Sequence, residues 1–302
     1  DQNQKEWSLV PDLSVSSVVK FIQNKINTKT KWFYTGEAYR KQNKNYNAPI
    51  INQTGFEIFA SNDKIKDDKE IIQTSIEIFK KSKFKKGELN ISNIEIFNAL
   101  IDRLSLALRW KERIKRHFCR EAYFNQLLRK LSSDTDINFA EVEKDKKIAE
   151  KFRKQKPSTL YSGRALKDIL ERFDLKNFKE PRSIADKKSV KIIKNYLKIS
   201  CSIDNAPSTL NKFFKKNKLN LFISDDYFPV VKTINRKIKI NFSSNINRSL
   251  EYYSGMVFNI TVNKKGKKFS LISGGRYDGL LKNLGSKKNT TAVGAAIDMS
   301  LL

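Results

Sequence analysis

Asn247-Arg248-Ser249-Leu250-Glu251-Tyr252-Tyr253-Ser254-Gly255-Met256-Val257-Phe258-Asn259-Ile260-Thr261-Val262 leads through a polar turn into Phe269-Ser270-Leu271-Ile272-Ser273-Gly274-Gly275-Arg276-Tyr277-Asp278-Gly279. The two β-branched and aromatic runs flank Asn263-Lys264-Lys265-Gly266, a polar segment closed by glycine, so the pair reads as a β-hairpin. Its second strand runs straight into a double glycine and then Arg-Tyr-Asp. Adjacent glycines let a backbone approach a ligand that a Cβ would block. Two arginines, an acid and several tyrosines at the ends of paired strands point to a cradle for a small zwitterion.

A second sheet region lies upstream. Lys31-Trp32-Phe33-Tyr34-Thr35-Gly36-Glu37-Ala38-Tyr39-Arg40 is aromatic and strand-like, and after a polar loop closed by Pro49 comes Ile50-Ile51-Asn52-Gln53-Thr54-Gly55-Phe56-Glu57-Ile58-Phe59-Ala60. In a strand, Gln53, Gly55, Glu57 and Phe59 point one way and Thr54, Phe56 and Ile58 the other. A face carrying Gln, Gly and Glu is natural where it lines a pocket, with Gly55 leaving room. Arg40 and Glu57 then sit on neighbouring antiparallel strands. Earlier still, Leu9-Val10-Pro11-Asp12-Leu13-Ser14 precedes Val15, Val18, Val19 and Ile22 at helical spacing, with Ser14 read as the N-cap. Taken alone, Asp12 reads as a turn acid.

Asp67-Asp68-Lys69-Glu70 reads as the cap of a helix with the stripe Ile71, Ile72, Ser75, Ile76 and Phe79. A short strand at Leu89-Asn90-Ile91 and a helix through Ile94, Phe97, Leu100, Ile101 and Leu104 follow. From Ser105 to about Asn220 the period is helical throughout. Leu106, Trp110, Ile114, Phe118, Leu128 and Leu131 predict one face of a long helix, whose opposite face carries Lys111, Lys115, Arg116, Arg120 and Arg129. That basic face is the best nucleic-acid candidate in the chain, but the solvated face of an amphipathic helix is the preferred reading. Strand character returns after Pro229 with Lys237-Ile238-Lys239-Ile240-Asn241-Phe242, and Thr291 to Leu302 reads as a strand turning into a helix. The expected organisation is a discontinuous sheet domain, residues 1–104 and 221–302, interrupted by a helical insertion at 105–220.

With 302 residues, 39% apolar composition and 20 Phe, the chain can bury a large core. The net charge is 60 − 32 = +28. The lysines are spread over nearly the whole length, which favours a general compositional bias over a dedicated polyanion surface. Cys119 and Cys201 are far apart, and His117 is the single histidine, so neither a zinc site nor a disulfide framework is supported. No run of 18 apolar residues and no signal-peptide pattern occurs, so the expected setting is cytoplasmic, with no membrane association. The sequence does not begin with Met, and a preceding N-terminal piece is expected.

Arg248-Ser249-Leu250-Glu251-Tyr252-Tyr253, Ser273-Gly274-Gly275-Arg276-Tyr277-Asp278-Gly279-Leu280 and Ala292-Val293-Gly294-Ala295-Ala296 resemble, in order, the signature segments of histidyl-tRNA synthetase-like class II proteins. Pro11-Asp12-Leu13-Ser14, Tyr39-Arg40 and Gln53-Thr54-Gly55-Phe56-Glu57 are similar to the family's earlier segments, again in order. Two kinds of member are then separated: the synthetases and their non-catalytic paralogues, the regulatory subunits of ATP phosphoribosyltransferase. Asp298-Met299-Ser300-Leu301 stands where a synthetase would carry a Glu-Arg pair to hold ATP, and Arg40-Lys41-Gln42 where it would carry Arg-x-Glu. Tyr253-Ser254-Gly255-Met256-Val257-Phe258 looks like the paralogue's version of that motif. The stop just after the last motif is expected to leave no room for an anticodon-binding domain. Activation of an amino acid needs the triphosphate charge held in place, so the resemblance implies a regulatory subunit and not an enzyme.

The implied fold is α+β: a class II aminoacyl-tRNA synthetase-like, mostly antiparallel sheet flanked by helices, with a helical insertion. The implied partner is the short-form catalytic subunit of ATP phosphoribosyltransferase, which this chain would bind and activate as a homodimer within a hetero-oligomer. Nucleic acid is not an expected partner, and no cofactor is implied; a synthetase-like enzyme or tRNA-binding paralogue is the alternative. The implied ligand is histidine, sensed for feedback inhibition of histidine biosynthesis. By resemblance, Asp12, Ser14 and Gln53 receive its ammonium, Arg248 pairs with its carboxylate, and Glu57 with Tyr253 hydrogen-bonds its imidazole. Arg40, Tyr252, Gly274, Gly275 and Tyr277 complete the expected site, with Tyr277 closing one side. Asp12 replaces the synthetase's Glu, and Val10 its frequent Arg.

Overall fold

A computed structural model describes residues 8–39, 50–132, 139–156, 160–161, 164–176, 184–228, 238–246, 252–264 and 266–302. The elements begin α1 (Leu13–Gln23), β1 (Thr30–Tyr39), β2 (Ile50–Phe59), α2 (Lys64–Lys81), β3 (Gly87–Asn93) and α3 (Ile94–Arg103). Then come α4 (Leu108–Arg116), α5 (Glu121–Ser132), α6 (Phe139–Arg153), the two-residue pair β4 (Leu160–Tyr161) and β5 (Arg164–Ala165), α7 (Leu166–Lys176) and α8 (Ile184–Tyr196). The chain closes with β6 (Ser200–Ser202), α9 (Ala206–Lys216), β7 (Lys239–Ser243), β8 (Met256–Lys264), β9 (Lys267–Arg276), α10 (Asp278–Asn283) and β10 (Ala292–Asp298). Two compact units result, Asp1–Leu100 with Tyr196–Leu302, and Ile101–Asn195.

In the first unit eight strands form one sheet in the order β1-β2-β10-β9-β8-β3-β7-β6. Neighbours are antiparallel throughout except β3 with β7. The architecture is the α+β, mostly antiparallel sheet flanked by helices that the sequence predicts. The central hairpin β8–β9 closes at Lys264↔Lys267, and Gly266 there takes φ +75°, a left-handed conformation that glycine adopts without a Cβ clash. Phe258, Ile260 and Val262 of β8 are buried beside Leu89 and Ile91 of β3. The α2 stripe Ile71, Ile72, Ser75, Ile76 and Phe79 is buried too. Each large apolar side chain so removed from water contributes about 1.5–3 kcal/mol.

Local capping departs from the sequence reading at two helices. The N-cap of α1 is Asp12, whose carboxylate accepts from the Ser14 amide, and Ser14 lies inside the first turn. For α2 the cap is Asp63, four residues before Asp67, with its carboxylate on the Lys66 amide. An extra turn thus precedes the acidic run, and Asp67 and Asp68 are buried within the helix.

The second unit is helical, but its first part is two helices and not one. A turn at His117–Arg120 separates α4 from α5, and Phe118 packs edge-on against Phe124 across it at 5.6 Å. The predicted apolar residues Trp110, Ile114, Phe118, Leu128 and Leu131 are buried. On the basic face Lys115 pairs with Asp102 at 2.6 Å, and Lys111 donates to the Asp102 carbonyl at 2.9 Å. The expected insertion boundary at residue 220 also moves, because β6 pairs with β7 (Cys201↔Phe242) and ties the chain from Tyr196 onward to the sheet unit.

Candidate ligand site on the sheet

Strand registers place Trp32, Glu57, Gly294, Gly275 and Val257 in one row across the sheet. The next row holds Tyr34, Gly55, Ala296 and Ser273. Three glycines and an alanine leave a trough where side chains would otherwise stand. Polar side chains lie in it. A Cβ on Gly294 would fall 1.3 Å from Glu57 Oε2, and one on Gly55 would fall 2.2 Å from the Tyr34 hydroxyl. One end of the trough is walled by an apolar cluster of Val18, Phe21, Phe59, Tyr277, Leu281 and Ala292, in which Phe21 stacks on Phe59 at 4.5 Å.

Glu57 is 1% exposed. Its Oε1 accepts from the Tyr34 hydroxyl at 2.9 Å and its Oε2 from the Tyr277 hydroxyl at 2.5 Å. The Tyr34 and Ser14 hydroxyls are 2.7 Å apart. Asp12 Oδ1 accepts from the Ser14 amide at 2.9 Å and from Gln53 Nε2 at 3.4 Å, while its Oδ2 accepts from the Tyr252 hydroxyl at 3.0 Å. Tyr252 meets Tyr253 at 4.9 Å and Tyr277 at 5.6 Å, giving the trough an aromatic wall. Gln53 Oε1 is buried with no partner among the described residues. Such an orphaned acceptor costs about 1–3 kcal/mol until a donor arrives.

The electrostatics follow from burial. Desolvation pushes the Glu57 carboxyl up to about 7, against the opposing pull of the Tyr277, Tyr34 and Ser14 hydroxyls, and the nearby Asp12 charge adds to the rise. Burial likewise raises Tyr34, Tyr252 and Tyr277, which therefore stay as neutral hydroxyl donors. Among the described residues no cation contacts Glu57. The trough is an acceptor-rich, aromatic-walled site suited to a ligand that brings N–H donors.

Asp12, Ser14, Gln53, Glu57, Tyr252, Tyr253, Gly275 and Tyr277 thus converge. A Cβ on Gly275 would lie 2.8 Å from the Tyr253 ring, so that glycine seats the ring. Gly274 faces the other way, against Phe258 and Ala295, because successive residues of β9 alternate between faces. The same alternation turns Arg276 out of the cradle onto the opposite face, where it meets Asp68 of α2. Arg40 and Arg248 lie outside the described residues. Two contributors escaped the sequence reading. Tyr34 pairs with Gly55 in register, so strand alternation carried the signal; Gly294 needs the β2–β10 pairing to be seen.

A family profile described as "Histidyl-tRNA synthetase" matches residues 1–172 and 147–302. The chain belongs to the histidyl-tRNA synthetase family. Within it, the chain is 23% identical over 307 residues, 96% of its own length and 81% of the other's, to an ATP phosphoribosyltransferase regulatory subunit of Rhizobium rhizogenes (strain K84). A histidine–tRNA ligase of Francisella tularensis subsp. novicida is 45% identical over 65 residues, 22% of this chain and 15% of that one. The crystal structure of histidyl-tRNA synthetase from Nostoc sp. PCC 7120 superposes with a TM-score of 0.58 at 16% identity, over 97% of this chain and 58% of that one. That likeness establishes the shared class II fold. At the family's final motif, the described chain passes from β10 into a 3-10 turn, Met299–Leu301, where the Ser300 hydroxyl accepts from the Asn52 amide at 3.3 Å. Among the described residues no cluster of His, Cys, Asp and Glu could hold a metal, and no helix is long and apolar enough to cross a membrane.

Proposed function

We propose that this chain is a non-catalytic regulatory subunit of ATP phosphoribosyltransferase that binds and activates the short-form catalytic subunit in the cytoplasm. Its cradle senses histidine. The relatives of that name, aligned over nearly the whole chain, support the first part, as does Ser300 in the place of an ATP-clamping arginine. The observation that carries the second is Glu57, a buried carboxylate held by two phenols and no described cation. Imidazole offers it an N–H donor of matching size. The ammonium goes to Asp12, Ser14 and the orphaned Gln53 oxygen, the carboxylate to Arg248, and Tyr253 shares the ring with Glu57. Histidine must favour one conformation of the complex over another, because a ligand of equal affinity for both regulates nothing.

Mixing the chain with a short-form phosphoribosyltransferase is expected to yield a complex, homodimeric in this subunit, whose activity falls with histidine. In calorimetry, Glu57→Gln should weaken histidine binding, since truncating one partner of a buried charge-assisted pair costs about 2–5 kcal/mol. Histidine-dependent ATP–pyrophosphate exchange by the chain alone would overturn the regulatory reading, and unchanged affinity in Glu57→Gln would move the ligand elsewhere.

A further inference from the structure

The hydroxyl hydrogens nearest Glu57 all run toward it. Tyr34 has one hydroxyl hydrogen and gives it to Glu57 Oε1 at 2.9 Å, so the Ser14 hydroxyl, 2.7 Å behind it, is the donor in that contact. Tyr277 gives its own hydrogen to Oε2. The run from Ser14 through Tyr34 to Glu57, met by Tyr277 at the other oxygen, is the hydrogen-bond pattern of an ionised carboxylate, which accepts at both oxygens and donates at neither.

The described residues do not supply the positive charge that should accompany this anion. Facing Glu57 are Asp12 and Ser14 from the start of α1, Tyr34 from β1, Tyr252 from the segment before β8, and Tyr277 between β9 and α10. The neighbouring positions on β9 and β10, Gly275 and Gly294, add only backbone. Asp12 is itself a carboxylate, and no lysine or arginine among the described residues is in this set. Neutral donors compensate a buried anion only in part, and burial together with Asp12 holds the Glu57 carboxyl up at about 7 despite them. An amino-acid zwitterion brings no net charge. With its ammonium on Asp12 and Gln53 and its carboxylate on Arg248, the charge that balances Glu57 has to sit on the ligand's side chain.

We propose that the cradle takes its ligand with the ring protonated, an imidazolium paired with the Glu57 carboxylate, so that occupancy of the site is linked to one proton. This rests on the reading of the cradle as a histidine site. The Tyr252 and Tyr277 rings, 5.6 Å apart, favour a flat cation over a neutral ring of the same size. Above neutrality free Glu57 is ionised and free imidazole, with an ordinary value of about 6.5, is neutral; the pair then forms by adding one proton from solvent to the ring. In acid both partners start protonated, and the Glu57 carboxyl releases its proton to solvent as the pair forms. Sensing is therefore tightest between about pH 6.5 and 7, and weakens about fivefold toward pH 5.5 and toward pH 8.

The test is calorimetric titration of the full chain with histidine from about pH 5.5 to about pH 8, each point in two buffers of different ionisation enthalpy. The ring nitrogen NMR shifts of isotope-labelled histidine are read in the same complex. About one proton should be taken up per histidine at the alkaline end and about one released at the acid end, with both ring nitrogens protonated in the bound state throughout. Triazolylalanine, whose ring has the same size and stays neutral in this range, should bind about tenfold or more weakly than histidine near neutrality and take up no proton. Glu57→Gln should abolish the uptake at the alkaline end. Histidine binding there without proton uptake, or with a neutral ring, would overturn this inference and leave the histidine reading standing. Equal binding of triazolylalanine, or an uptake that persists in Glu57→Gln, would also overturn it. Histidine binding at no pH would remove both the inference and the reading beneath it.

Discussion

Glu57 and Asp68 are carboxylates buried on opposite sides of one sheet, 1% and 8% exposed, and they are held in opposite ways. Glu57 rests on two neutral phenols, and burial pushes it up to about 7. Asp68 rests on a guanidinium; burial pushes it up to about 6, with the Arg276 charge opposing. Neutral donors leave a buried charge only partly compensated, whereas a cation compensates it within the protein. The back face therefore reads as structural pairing that ties α2 to β9. On the front face, Glu57 meets only neutral donors among the described residues.

The largest effect expected from breaking this contrast is at Arg276→Met. It leaves Asp68 buried without its cation and should lower stability by about 3–5 kcal/mol in urea titration; a loss under 1 kcal/mol would mean the pair is not structural. Gly294→Ala comes next. With a Cβ aimed 1.3 Å from Glu57 Oε2, it should cost about 1–3 kcal/mol and abolish ligand binding in the cradle, and Glu57→Ala in the same background should recover part of the stability. Glu57→Gln sharpens the comparison from the other side. It keeps the shape and removes the charge, so at pH 8 the empty protein should be no less stable than the parent.

Acidity gives a third lever. Both carboxyls have folded values above their ordinary 4.5 and 3.8, so the folded state holds protons that the unfolded chain has released. Their contribution to stability is complete below about pH 4 and is lost as pH rises through about 6 for Asp68 and about 7 for Glu57. Urea midpoints measured from pH 5 to 8 should fall with this component, and Glu57→Gln should flatten the upper part of the fall. The smallest expected effect is Tyr34→Phe, about 1 kcal/mol for one lost hydroxyl network, accompanied by a further rise of Glu57 detectable by carboxyl NMR.

Much of this was legible in the chain itself. The alternation of Gln53, Gly55, Glu57 and Phe59 gives the correct face, and the β8–β9 hairpin follows from its two runs and Gly266. Other features were not legible, for reasons specific to each. Arg276 looks like a ligand-binding arginine beside two glycines, yet its parity along β9 sends it to α2. The break between α4 and α5 is hidden because the apolar spacing continues across the turn at His117–Arg120. Residues 196–220 read as helix-rich, but three residues of β6 suffice to join them to the sheet.

By itself, the order of residues determined which segments are strands, which face of β2 is polar, and the family resemblance, because these depend on local period and on motifs in sequence order. Tertiary structure alone decided which neighbours those faces meet. Gly294 became the floor beneath Glu57 only when β10 inserted between β2 and β9, and Asp12 met Tyr252 only when residues 240 positions apart were folded together. Pairing across strands is a long-range choice, set by how whole faces bury. It determines that Glu57 lies among tyrosine hydroxyls on one face of the sheet, while Arg276 on the other is locked against Asp68 of α2.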